Sequence, residues 1–144
     1  MPTPEEAIEI VRSFALSFTS GKPMYDENVR WDIGKTLSFL TDDIYWKEEV
    51  AEFAKRGKAT IGKLLEGVAV AYPGQWSQIH TIFSDGHNVG MEYDWGVVDP
   101  AGKEIVLHVF SLFKLTGAGK IYHWHDYYNS PQAKESYDKT GILE

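Results

Sequence analysis

Cysteine is absent from this chain. Its absence excludes disulfide bonds, thiolate catalysis and zinc sites built on cysteine. Long apolar runs are absent too, because no stretch approaches the ~20 residues that a membrane-spanning helix needs. We therefore expect no membrane partner.

Positive charge is in the minority: 14 Lys and Arg stand against 21 Asp and Glu, which gives a net charge of −7. This balance argues against nucleic acid or an anionic membrane surface as a partner. The N-terminal stretch MPTPEEAIEI is acidic and lacks the apolar core of a signal peptide. A cytoplasmic location is therefore expected.

Aromatic residues, by contrast, are plentiful, at 14% of the 144 residues. The length fits a single domain over 1–144 with one hydrophobic core. Two interpretations of the aromatic excess remain open. It either fills an aromatic-rich core or lines an apolar ligand cavity and an apolar contact between subunits.

Helical patterns are confined to the first half of the chain. Thr3 has the character of an N-cap before a helix that ends near Ser20. Apolar spacing predicts a second helix from Glu27 to Leu40 and a third from Ala59 to Ala71.

Most of the remaining sequence has strand character, and turn or hairpin signals such as DGHN, DPAGK and TGAGK separate the later strands. The strand segments are TDDIYWKEE, QWSQIHTIFS, VGMEYDWGVV, EIVLHVFSLFKL and IYHWHDYY. The order predicts an α+β fold, in which three helices from the N-terminal half pack against a curved antiparallel (mixed) sheet.

The segment HWHDYYN near the end of the chain is unusually dense in chemically active side chains. Strand alternation separates its aspartate from its histidines. One face carries Tyr122, Trp124, Asp126 and Tyr128, and the other carries His123, His125 and Tyr127. The two histidines are either half of a metal site, with His108 as a third ligand, or part of a subunit contact. The subunit contact is favoured, so no metal is expected.

Two segments, RGKATIGKLLEG and FKLTGAGKIYHWHDYY, resemble the cone-shaped fold of nuclear transport factor 2. Within that fold, the chain is similar to limonene-epoxide-hydrolase-like and SnoaL-like polyketide cyclase proteins. The resemblance implies a cone-shaped sheet. It leaves the activity open, because the fold hosts hydrolases, isomerases, dehydratases, cyclases and binding modules.

The epoxide hydrolase pattern has Tyr-x-Asn, Arg-x-Asp and Trp-x-Asp-Tyr on three strands. Here YWK supplies Tyr45 and Lys47, EYD supplies Glu92 and Asp94, and WHDYY supplies Asp126. The resemblance therefore implies these five residues as the catalytic set. Glu92 and Lys47 depart from the pattern, and we expect them to form an ion pair that replaces its Arg and Asn.

Opening an epoxide or enolising a ketone needs one group that gives a proton and one that takes it. Asp94 and Asp126 lie two strands apart in the predicted meander, and two carboxyls in a dry pocket push one pKa upward. The simpler alternative turns Glu92 and Asp94 to solvent. The predicted substrate-binding residues are Trp31, Phe39, Leu107, Val109, Trp124 and Tyr128.

These features predict a cofactor-free acid–base enzyme that opens or rearranges a small apolar oxygenated molecule, in the manner of an epoxide hydrolase. The alternatives are a polyketide or steroid-type cyclase, isomerase or dehydratase, and a non-catalytic binding module. A homodimer is expected through the convex sheet face, with His108, Phe110, Met91, Tyr93, Trp95, His123, His125 and Tyr127 in the contact.

Overall fold

The computed structural model describes residues 1–18, 30–49 and 52–128. Helix α1 spans Pro4–Leu16 and begins as predicted. The Thr3 hydroxyl accepts a hydrogen bond from the Glu6 backbone N–H, and the Glu6 carboxylate accepts one from that of Thr3. The helix ends at Leu16 rather than near Ser20. At this end the Ser17 hydroxyl donates a hydrogen bond to the Phe14 carbonyl. Residue 20 lies outside the described residues.

The second predicted helix is much shorter than expected, since α2 covers only Ile33–Leu37. The Asp32 carboxylate caps it by accepting from the Lys35 backbone N–H at 3.1 Å. The prediction of helix up to Leu40 was wrong, because Leu40 already pairs with the last strand of the sheet. Residues 27–29 lie outside the described part of the chain. Helix α3, at Lys58–Ala71, confirms its prediction to within one residue.

In the described part of the chain, six strands form one mixed sheet in the order β2-β1-β6-β5-β4-β3. Their bounds are β1 Leu40–Glu48, β2 Phe53–Arg56, β3 Gly74–Ser84, β4 Asn88–Val98, β5 Glu104–Leu115 and β6 Ile121–Tyr128. Strands β1 and β6 pair in parallel, and all other neighbours are antiparallel. This confirms the α+β class and the mixed sheet. The short β2 was not predicted.

One face of the sheet, here called the inner face, packs against α1 and α3. Side chains from that face and from the two helices form the hydrophobic core. Met91, Tyr93 and Trp95 belong to it and are at most 8% exposed. The prediction that these three residues lie on the convex contact face was therefore wrong. Register explains the placement, because Tyr93 pairs with Val109, which in turn pairs with Tyr128 on the same side.

The opposite face, here called the outer face, carries no described helix. Phe83, Phe110 and Tyr127 are large apolar side chains exposed there, each by more than a third. The rings of Phe110 and Tyr127 are 6.3 Å apart between centroids, as are those of Phe83 and Phe110. Among the described helices, none combines the length and apolar character needed to cross a bilayer.

Candidate functional site

Asp126 lies on the inner face of β6, and only 1% of it is exposed. Its carboxylate accepts three hydrogen bonds from side chains. Ser111 and Trp124 donate to Oδ1 at 2.5 and 2.6 Å, and Trp46 donates to Oδ2 at 2.9 Å. A carboxylate has about four acceptor positions. Among the described residues, these contacts therefore leave one position on Oδ2 for a water molecule or a substrate proton.

Burial raises the pKa of Asp126 to about 6, although the three hydrogen bonds act in the opposite direction. The charged form loses its hydration in this environment, and the donors replace only part of that loss. A base with a pKa near neutrality both exists in the ionised form and binds a proton usefully at physiological pH. The position and its electrostatics therefore suit Asp126 to proton transfer.

Two hydroxyl groups extend the hydrogen-bond network from Asp126 towards β4. The Ser111 hydroxyl donates to Asp126, and the Tyr93 hydroxyl lies 2.9 Å from that of Ser111. Burial first, and then the negative charge of Asp126, raise the pKa of Tyr93 well above its usual value. Tyr93 is thus a phenol that keeps its proton over the physiological range of pH.

A cavity opens beside this network between the inner face and the two long helices. Phe14 and Phe18 come from the α1 side and Leu65 from α3, whereas Tyr93 and Asp126 form its polar wall. The free volume is about 30 Å³, which is enough for about two water molecules. A larger occupant therefore requires side chains of the wall to move.

Two stacked indoles hold the carboxylate of Asp126. The rings of Trp46 and Trp124 lie 4.2 Å apart between centroids and are tilted by only 6°. Both N–H groups point at the carboxylate, and an indole can donate but not accept. The pair therefore fixes Asp126 in one orientation.

Glu48 is a further inner-face acid that sequence reasoning missed. It is fully buried and stands directly opposite Asp126 in the parallel β1–β6 pair. Its charge, like that of Asp126, acts on Tyr93 and raises the pKa of that residue. The available signal was its position two residues after Trp46, which puts both side chains on one strand face.

Asp94 and Glu92 lie on the outer face, away from Asp126. The carboxylate of Asp94 contacts Nδ1 of His108 and, at 3.0 Å, Nε2 of His80. Burial acts to raise the pKa of Asp94, but the contacts with His80 and His108 together outweigh it, and the pKa is lowered. The prediction that Asp94 and Asp126 share one pocket was therefore wrong. Alternation puts Tyr93 and Asp94 on opposite faces of β4, and the register turned Tyr93 rather than Asp94 inward.

Tyr45 and Lys47 likewise belong to the outer side of β1, in register with His123 and His125. The ammonium of Lys47 contacts Glu49 at 3.4 Å rather than Glu92. Three strand spacings separate β1 from β4 in the sheet order, or about 14 Å between backbones. The predicted Lys47–Glu92 ion pair was therefore wrong.

The residues predicted to bind substrate divide into three groups. Trp124 and Tyr128 line the cavity. Leu107 and Val109 are buried in the core. Trp31 and Phe39 pack at the end of α1, where Trp31 stacks on Phe18 with 4.9 Å between centroids. Their contact with a substrate stays a prediction.

The histidines of the last strand are engaged with protein groups. His125 Nε2 lies 2.6 Å from Oε1 of Glu49, and the ring of His123 packs 5.6 Å from that of Tyr45. His108 contacts Asp94 instead of joining them. Over the described ranges, no group of three or more His, Asp or Glu side chains is arranged to hold a metal ion.

The fold and the site together define a class: an α+β cone with a buried carboxylate at the end of a mostly apolar cavity. A sequence model of the SnoaL-like domain matches residues 24–124 of this chain. The chain belongs to the SnoaL-like domain family. This confirms the resemblance to that family. No functionally curated protein matches the sequence.

Solved structures show the same fold at low sequence identity. An LEH-like epoxide hydrolase from M. tuberculosis is 22% identical, with a TM-score of 0.71 over 95% of this chain and 90% of that one. SalBIII, an epoxide hydrolase/cyclase-like enzyme in pyran ring formation in the polyether salinomycin, is 16% identical. Its TM-score is 0.71 over 87% of this chain and 92% of its own. A nuclear-transport-factor-2-like protein of unknown function from Burkholderia pseudomallei is 13% identical, with a TM-score of 0.72 over 91% and 96%.

Proposed function

We propose that this chain is a cofactor-free acid–base enzyme that opens or rearranges a small apolar oxygenated molecule, with epoxide opening as the first reaction to test. The observation that carries the proposal is the Asp126 carboxylate. It is buried, held by three donors and beside a cavity, and its pKa is raised to about 6.

In this proposal Asp126 takes a proton from a water molecule at the open position of Oδ2. The water oxygen forms a bond to a ring carbon, and the carbon–oxygen bond of the epoxide breaks. The released oxygen receives a proton from Tyr93, whose side chain borders the same cavity. Epoxide and water thus become a diol, and one proton must return from Asp126 to Tyr93.

This mechanism assigns no role in the reaction to Asp94, Glu92, Tyr45 or Lys47, because they belong to the outer face. The substrate is small and mostly apolar, since the cavity offers only about 30 Å³ before its walls move. The half-buried Phe18 and Trp31, which stack at the end of α1, are the side chains that we expect to open it.

Rearrangement without water is a second candidate, because the open acceptor position on Oδ2 suits a carbon acid as well as water. Oδ2 has one position left, which can take a proton from water or from a carbon acid, but not from both at once. An isomerase or cyclase would use Asp126 as the base on carbon and Tyr93 as the donor to the developing oxyanion.

The experiment compares Asp126→Asn with Asp94→Asn on a panel of small epoxides that includes limonene oxide, cyclohexene oxide and styrene oxide. Loss of the base should lower kcat by roughly 10²-fold or more. The matched substitution at Asp94 should leave kcat within about twofold, because Asp94 lies on the other face. The opposite ranking would move the chemistry to the outer face.

Labelled water distinguishes the two candidate reactions. Hydrolysis incorporates one oxygen atom from ¹⁸O-labelled water into the product, whereas isomerisation or cyclisation incorporates none. If wild-type protein binds these epoxides but turns over none of them, the result favours a binding module.

We also propose that a second copy of the chain covers the outer face. That face exposes Phe83, Phe110 and Tyr127 together, with their rings in contact range. Exposed apolar clusters of this kind mark protein contacts. Of the residues that the sequence suggested for this contact, His108, Phe110, His123, His125 and Tyr127 remain candidates.

A further inference from the structure

Ser111 joins the two groups to which the proposed reaction assigns proton transfer. It is fully buried on the inner face of β5, opposite Asp126 on β6 and Met91 on β4. Its hydroxyl lies 2.5 Å from Oδ1 of Asp126 and 2.9 Å from the Tyr93 hydroxyl. The three groups form one chain from the base to the proton donor.

The direction of this chain follows from counting protons. A serine has one hydroxyl proton and a tyrosine has one, whereas an ionised carboxylate has none. With Asp126 ionised, Ser111 donates to the carboxylate and Tyr93 must donate to Ser111. The Tyr93 proton is then directed away from the cavity.

Protonation of Asp126 adds one proton to this hydrogen-bonded chain. The indoles of Trp46 and Trp124 can only donate, so neither can accept the new proton. The Ser111 oxygen can accept it when the proton is on Oδ1, the carboxyl oxygen that Ser111 contacts, and the Ser111 proton then turns to Tyr93. We propose that Ser111 is a proton relay: when a proton occupies Oδ1 of Asp126, both hydrogen bonds reverse, and the Tyr93 hydroxyl is directed into the cavity.

The catalytic role of the relay rests on the proposed function. In that reaction the relay avoids a charged tyrosinate at Tyr93. If Tyr93 gave up its proton alone, a tyrosinate would be left in a buried site near the charge of Glu48. Such an anion is costly. A proton taken from water at Oδ2 first moves to Oδ1, the oxygen that Ser111 contacts. From Oδ1 it passes to Ser111, the Ser111 proton passes to Tyr93, and Tyr93 supplies the substrate oxygen. No group keeps a net change of charge.

The ionisable groups around Asp126 come from three strands among the described residues. They are Glu48 on β1, Tyr93 on β4 and, on its own strand, Tyr128 and the more distant His125. The α1 and α3 side chains at the cavity are apolar. Glu48 is therefore the other acid whose protonation the experiment has to separate from that of Asp126.

Raman spectroscopy of the tyrosine Fermi doublet tests the relay without any substrate, because the doublet reports whether a phenol donates or accepts a hydrogen bond. Subtracting the spectrum of Tyr93→Phe from that of wild type isolates Tyr93. The expected signal is a change in the hydrogen-bonding state of Tyr93 with a midpoint near pH 6, where Asp126 takes up its proton.

Ser111→Ala should abolish this change, since the hydroxyl that connects the two groups is gone, while the charge of Asp126 stays. Asp126→Asn should also abolish the pH-dependent change at Tyr93. Glu48→Gln should keep this change but shift its midpoint. Ser111→Cys, which retains a weak donor of similar size, should show a weakened change. A change that persists in Ser111→Ala, or its absence in wild type, would overturn the relay.

Kinetics on a turned-over epoxide supply the second readout. Ser111→Ala should lower kcat by roughly 10-fold or more, with KM within about twofold, and should reduce the solvent deuterium isotope effect on kcat. A lower kcat with an unchanged isotope effect would indicate a structural role only and contradict the relay. If no epoxide is turned over, the proposed function fails by itself, and the Raman result still decides whether the relay exists.

Discussion

The Trp46 indole donates a hydrogen bond to Oδ2 of Asp126, at 2.9 Å, from a position 80 residues earlier in the chain. The contact depends on the parallel pairing of β1 with β6, which sets Trp46 beside Trp124 and Glu48 beside Asp126. This pairing turns one aspartate in an aromatic strand into an oriented, desolvated base. The predictions below test the site and its surroundings.

The buried Asp126 should make stability depend on pH. Its pKa rises from 3.8 to about 6 on folding, which corresponds to roughly 3 kcal/mol. The folded state binds the proton more tightly than the unfolded state. The stabilisation is therefore complete below about pH 4 and is lost as pH rises through about 6.

Urea denaturation of wild type and Asp126→Asn measures this effect. Asparagine does not titrate, so the stability of the variant relative to wild type should rise by up to about 3 kcal/mol between pH 4 and pH 8. The variant should also be less stable by an amount that does not vary with pH. Its amide NH₂ would face a hydrogen-bond donor in either orientation: the Trp46 indole in one, and the Ser111 hydroxyl and Trp124 indole in the other. A stability difference that does not vary with pH would contradict the raised pKa.

Lys47 and Glu92 should behave as independent residues. They lie three strands apart, and Lys47 contacts the half-exposed Glu49 instead. In a double-mutant cycle with Lys47→Ala and Glu92→Ala, the unfolding free energies should add within about 0.5 kcal/mol. The matched cycle of Lys47 with Glu49 should give no more than about 1 kcal/mol, as is usual for exposed pairs. A Lys47–Glu92 coupling above that value would contradict the observed arrangement.

The outer face should be the contact between two copies. Phe110→Asp puts a charge into the exposed aromatic cluster, and an unpaired charge in an apolar contact is costly. The variant should therefore sediment as a monomer at micromolar concentrations at which wild type is a dimer. Val70→Asp is the control, because Val70 is 79% exposed on α3, on the helical side. A wild-type monomer, or equal effects of both substitutions, would contradict the proposal.

Gly96 should not tolerate a side chain, because the Trp76 ring lies directly on it across the β3–β4 pair. A Cβ at this position would overlap that ring, whose N–H donates to Glu104 at 3.0 Å. Gly96→Ala should lower the free energy of unfolding by about 1–3 kcal/mol. Gly117→Ala, in an open turn, should stay within about 0.5 kcal/mol. Equal effects in thermal or urea denaturation would contradict the close contact.

Local sequence determined much of the fold. Thr3 and Pro4 are sufficient to locate the start of α1, because capping involves only neighbouring residues. The apolar spacing of α3 placed that helix to within one residue. The prediction of the second helix was wrong at its C-terminal end, where the pairing of Leu40 with Ile121 outweighed helical periodicity. Such long-range pairing leaves no local signal.

In the candidate site, too, local sequence determined some features and long-range pairing the others. Alternation along β6 fixed from sequence alone that Asp126 shares a face with Trp124 and Tyr128, since successive side chains of a strand must point to opposite faces. Alternation also divided β4 into a face with Met91, Tyr93 and Trp95 and a face with Glu92 and Asp94, but the sequence left open which of the two turns inward. The β4–β5–β6 register decided that Tyr93 faces inward, with its hydroxyl on Ser111, and that Asp94 faces outward. The parallel β1–β6 pair likewise brought Trp46 and Glu48, rather than Tyr45 and Lys47, to the inner face, because pairing between distant strands is settled only when the whole sheet packs against its helices.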